Sequence, residues 1–102
     1  MTPEPRFLLP ASIDFNNLLS VRADGEAFID EHAASVFSLS GLQESNSSAA
    51  ALLVAWFRYA HLQGKSILFV DVPVDLRNII DLCELDRVLP LEEVTPSTQD
   101  GG

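Results

Sequence analysis

Hydrophobic positions along this chain change period repeatedly, from alternation to spacings of three and four and back. Residues 7–13 (FLLPASI) predict a short strand, confined by Pro10 to an edge or a break because proline brings no N–H to a ladder. Asp14 is placed to cap a following helix, since its carboxylate can accept the free N–H groups of a first turn. Phe15, Leu18, Leu19 and Arg22 carry helical spacing, which should weaken at Asp24-Gly25, and residues 26–34 have no clear period. In residues 35–41 (SVFSLSG), Val36, Ser38 and Ser40 alternate with Phe37 and Leu39, which is strand periodicity ended by Gly41.

Asn46, Ser47 and Ser48 then stand before a run of alanines and large apolar residues, the signature of a capped helix from about 48 to 62. Gly64 supplies its stop. Residues 66–72 (SILFVDV) have the continuous apolar centre of a buried strand. Pro73 suits the first position of a last helix, where its missing N–H costs nothing, and Leu76, Ile79, Ile80 and Cys83 then make one buried stripe. Strand, helix, strand, helix, strand, helix is the order of an α/β domain with parallel neighbours. Residues 6–91 form that domain, and residues 1–5 and 92–102, rich in Pro, Gly and polar groups, read as flexible ends.

The helix beginning near Ser48 is unusual in composition. From Ala49 to Ala60 only Arg58 is charged and only Tyr59 is otherwise polar. Leu52, Ala55, Trp56 and Tyr59 could form one buried stripe, which would leave Leu53, Phe57 and the alanines Ala50 and Ala51 for another surface. A helix apolar nearly all round is either covered by its own fold or waiting for a partner. In a chain of 102 residues, full coverage is difficult, which favours a partner.

Charge and composition narrow the partner. Six Lys and Arg against fifteen Asp and Glu give a formal net charge of −9, which disfavours nucleic acid and anionic lipid. The longest wholly apolar run, 49–57, is too short to insert across a bilayer, which takes about 20 residues. The first residues carry no secretory h-region, and a single cysteine excludes an internal disulfide, so a cytoplasmic location is expected.

Catalytic chemistry finds little support. Gly64-Lys65-Ser66 resembles the end of a phosphate loop, but it lies between a helix and a following strand with no preceding glycine at the required spacing. His32, His61 and Cys83 lack ligand-like spacing, so no metal is expected. Ser47 and Ser48 lack the glycines of a nucleophile elbow, and Asp75, Asp81, Glu84 and Asp86 fall away from the stripe of the last helix, as solvated acids do. No enzyme activity and no cofactor are expected.

The stretches SVFSLSGL, ESNSSAAALL, AHLQGKSILFVDVP and LRNIIDLCELDRVLPL together resemble the STAS domain family of bacterial anti-sigma factor antagonists, over about residues 7–91. The resemblance implies a small, mixed or mostly parallel sheet of about four strands with helices packed against it. Within the family the chain looks most like the small STAS subunits of Mla-type phospholipid ABC transporters. That likeness implies a non-catalytic regulatory or assembly subunit, bound to the transporter ATPase at the inner membrane and serving outer-membrane lipid asymmetry. The family's junction Thr/Ser maps onto Ser47, its phosphorylatable serine onto Ser48 and its preceding Asp onto Asn46. Here Asn46 removes that Asp's charge, Ala49-Ala50-Ala51 replaces a glycine-containing pattern, and little precedes Phe7.

Two functional expectations follow. In the first, Asn46, Ser47, Ser48, Ala50, Ala51, Leu53 and Phe57 meet an ABC transporter ATPase. In the alternative, the chain is an anti-sigma factor antagonist, switched by phosphorylation of Ser48 by an anti-sigma factor kinase.

Overall fold

The computed structural model describes residues 6–83 and 89–91. The six elements follow the expected order: β1 (Arg6–Leu8), α1 (Leu18–Glu31), β2 (Ala34–Ser38), α2 (Ser47–Leu62), β3 (Ser66–Val70) and α3 (Val74–Leu82). The sheet is parallel, in the order β1-β2-β3. Among the described residues it has three strands rather than about four, and the chain beyond α3 adds one isolated parallel bridge, Phe69 to Leu91. The expected loose ends, 1–5 and 92–102, lie outside the described residues, as do Glu84 and Asp86.

The register places Phe7, Phe37 and Phe69 side by side across the three strands. Their rings touch in sequence, with centroids 4.9 Å apart for Phe7–Phe37 and 5.9 Å for Phe37–Phe69. Trp56 of α2 lies over this row at 4.8 Å from Phe37, and Phe28 of α1 joins it at 5.7 Å from Phe7. Alternation along a strand thus gives one sheet face to an aromatic core under the helices. The other face carries Leu8 and Leu68, exposed at 67% and 38%. The apolar run of β3 is therefore only partly buried on that face, where Leu68 is open while Val70 is buried. β2, the central strand, is buried from Ser35 to Ser38 despite its polar alternation.

α1 departs from its expected face and length. It begins at Leu18, after a turn tied by Asp14, whose Oδ1 accepts the Asn16 N–H at 2.8 Å while Asn17 Oδ1 accepts the Asp14 N–H at 2.9 Å. Phe15 and Leu19 point outward, at 93% and 76% exposure, and Val21, Gly25 and Ile29 face the core. The helix passes through Gly25 unbroken, because Gly25 is the place where α1 lies against the Trp56 indole. A Cβ there would stand 2.3 Å from Trp56 Nε1, which donates to the Arg22 carbonyl at 3.1 Å.

α3 starts at Val74, one residue later than expected: Pro73, at ψ 148°, is the N-cap rather than the first helical residue, and the helix buries Leu76 and Ile80. Cys83 does not extend their stripe: the helix ends at Leu82, and Cys83 is an exposed C-cap residue.

Candidate functional site

The loop from β2 delivers the chain to α2 through Asn46, whose backbone is extended at φ −153° and ψ 175°. Asn46 Oδ1 accepts the Ala49 N–H at 2.9 Å, satisfying one of the free donors of the first turn. Its Nδ2 donates to the Ile13 carbonyl at 3.1 Å, which ties the loop after β1 to the start of α2. An aspartate could make the first bond but not the second, since it has no N–H to offer.

Ser47 is exposed and Ser48 half-buried in the first turn of α2, and neither hydroxyl is engaged by a described residue. Both imidazoles lie at the opposite end of the helical layer. His61 is roughly 20 Å along the axis from Ser48, at 1.5 Å per residue. His32 Nδ1 lies 2.8 Å from the Phe28 carbonyl at the end of α1. Among the described residues no group of three His, Cys, Asp or Glu is placed to hold a metal ion.

α2 ends in a Schellman motif. The Gly64 N–H donates to the His61 carbonyl at 3.0 Å and the Lys65 N–H to the Ala60 carbonyl at 2.9 Å, with Gly64 at φ 70°. Lys65 then reaches across to α1, where its ammonium donates to the Ile29 carbonyl at 3.0 Å and to that of Asp30. Gly64-Lys65-Ser66 is therefore a double helix stop, with its lysine committed to backbone carbonyls.

The structure divides the expected contact residues. Ala50 and Leu53 are 3% and 0% exposed and belong to the core, so their side chains do not form a contact surface. The reason is tertiary: α2 rests on the sheet between α1 and α3, which covers three of its sides. Phe57 is half-buried against the same core. What remains outside is a stripe through Ser47, Ala51, Arg58 and Leu62, with Ser48 and Ala55 half-buried beside it. Arg58 and Leu62 were not among the expected contact residues, although their spacing of seven and eleven from Ala51 puts them on its exposed face.

On the α1 side this stripe borders Arg22 and Tyr59. Arg22 Nε is 3.0 Å from Glu26 Oε2, and the Tyr59 hydroxyl donates to Asp30 Oδ1 at 2.7 Å. The bond to Asp30 holds the Tyr59 hydroxyl above its ordinary pKa, with burial and the charges of Asp30 and Glu26 acting in the same direction.

Comparison with known proteins agrees with this architecture. No family model and no curated protein matches the sequence. Among solved structures, the chain is similar to one chain of the Acinetobacter MlaFEDB complex in its ATP-bound Vtrans2 conformation. The identity is 29% and the TM-score 0.76, over 85% of this chain and 93% of that one. It is also similar to an anti-sigma-factor antagonist (STAS) domain protein from Planctomyces limnophilus, at 16% identity and TM-score 0.71, over 87% of this chain and 81% of that one. The unphosphorylated form of the anti-sigma factor antagonist SpoIIAA matches at 14% identity and TM-score 0.68, over 93% of this chain and 84% of that one. The fold is that of STAS domains.

Proposed function

We propose that this STAS-fold chain is a non-catalytic regulatory or assembly subunit of an ABC transporter for phospholipids. It docks on the ATPase subunit through the first turn and outer stripe of α2 and serves outer-membrane lipid asymmetry. The likeness to a chain of the MlaFEDB complex supports this most directly, since it spans nearly the whole of both chains. The site fits the role. Asn46 fixes the direction of α2, and Ser47, Ser48 and Ala51 present small side chains that let another backbone approach closely. No helix among the described residues is long and apolar enough to cross a membrane. Attachment to the inner membrane then comes through the partner, from the cytoplasmic side.

Co-expression with the ATPase subunit tests the proposal. A stable complex should form with the unaltered chain and be lost with Ser47→Arg or Ala51→Arg, both at exposed positions. A complex that survives both substitutions places the contact elsewhere.

A second reading is supported by the free Ser48 hydroxyl at a helix N-terminus and by the fold shared with SpoIIAA. A phosphate on Ser48 is favoured by the helix dipole and brings up to about two negative charges into the docking face, which makes an off-switch. In that reading Ser48→Asp loses the partner, and the native chain carries the mass of a phosphate.

A further inference from the structure

The outer stripe of α2 is one wall of a groove against α1. The groove holds about 410 Å3 and is lined by Arg22 of α1 and by Ala51, Val54, Ala55, Arg58, Tyr59 and Leu62 of α2. A hollow of about 110 Å3 continues it towards Leu18 and Leu19 and shares Arg22, Ala51 and Ala55. The space exists because Ala51 and Ala55, one turn apart on the same face, carry only a methyl group each. Leu19 and Leu62, on its borders, are 76% and 82% exposed.

Charge is distributed against the trend of the molecule. A chain of net charge −9 has six Lys and Arg in all, and two of them line this groove. Arg22 is bridged to Glu26 yet remains half exposed. Arg58 is exposed and has no partner among the described residues. Its guanidinium therefore offers a full set of donors beside an apolar floor, an arrangement suited to a carboxylate next to a large apolar side chain.

We infer that the groove seats a segment of the ATPase subunit in which a large apolar side chain is flanked by carboxylates. The apolar group lies over Ala51 and Ala55, and the carboxylates meet Arg58 and the exposed side of Arg22. This rests on the proposed function and names the chemistry of its partner surface. A second copy of the chain fits poorly, because it would set −9 against −9. An anionic bilayer would spread negative charge over the acidic surface as well, whereas a protein segment can place carboxylates opposite the two arginines alone.

Binding of the purified chain to the ATPase subunit, measured at low and high salt, tests the inference. Arg58→Glu should weaken binding about tenfold or more, mainly by slowing association, and flatten its salt dependence. Arg58→Lys, which keeps the charge, should retain most of the affinity. Ala55→Phe should weaken binding by filling the groove while leaving the salt dependence in place. Circular dichroism should show all three variants folded. If Arg58→Glu and Ala55→Phe both bind as the unaltered chain does, the groove is not the docking site, although docking on the ATPase subunit through the first turn of α2 still stands. If the unaltered chain does not bind the ATPase subunit at all, both fail. Loss of self-association or of binding to anionic vesicles in Arg58→Glu, with ATPase binding unchanged, would also overturn the inference.

Discussion

A Cβ on Gly25 would lie 2.3–2.6 Å from three atoms of the Trp56 ring, which is bound on one side by the Arg22 carbonyl and on others by the phenylalanine row. Alanine at this position gains about 1 kcal/mol of helix propensity, but the rigid indole has little room to yield. Overpacking of this kind costs about 1–3 kcal/mol, and the clash here is severe. Gly25→Ala should therefore destabilise the domain in urea denaturation, by an amount near the upper end of that range. Asn46→Ala should cost about 1–2 kcal/mol, since it removes a helix cap and also frees the Ile13 carbonyl. Tyr59 offers a cleaner reading because it is the only tyrosine. Its pKa is raised in the folded chain, so phenolate formation should have its midpoint above the ordinary 10 and return towards that value on unfolding. The stabilising contribution is present below the unfolded pKa and is lost as pH rises through the folded one. Asp30→Asn should lower the midpoint; an unchanged ultraviolet titration would exclude the hydrogen bond.

At the scale of elements, α2 shows what could be read from sequence and what could not. Its start at Asn46-Ser47 and its stop at Gly64 were legible because capping chemistry is local. Its faces were not, because Leu52 and Leu53 are both apolar and no period separates them. Only the packing of α1, α3 and the sheet around the helix decides that Ala50 is inside and Ala51 outside. The same holds for α1, where Phe15 and Leu19 satisfied a helical spacing that the core does not use. The true face runs through a glycine, which periodicity counts as a gap. Adjacent alanines thus give a sharp expectation. Ala50→Arg forces a charge into a fully packed layer and should prevent folding or lower the melting temperature sharply, whereas Ala51→Arg should melt within a few degrees of the unaltered chain. Equal effects on melting would contradict the assigned face.

For the whole molecule, the order of elements and the parallel sheet were legible, and so was the STAS resemblance, carried by the β2–α2 junction and the segments after it. The strand count was not. Pro10 ends pairing early after β1, and beyond α3 the described residues, 89–91, contribute a single bridge rather than a strand. The net charge of −9, the capped first turn of α2 with Ser47 exposed and the arginine-lined groove fit the proposal of a small protein that acts by docking. The most direct test of that claim is affinity purification of the tagged chain from solubilised membranes, with the intact mass measured on the same sample. The account predicts recovery of an ABC transporter ATPase together with an unmodified chain. Recovery of a soluble anti-sigma factor kinase in its place, with the chain carrying a phosphate, would contradict it.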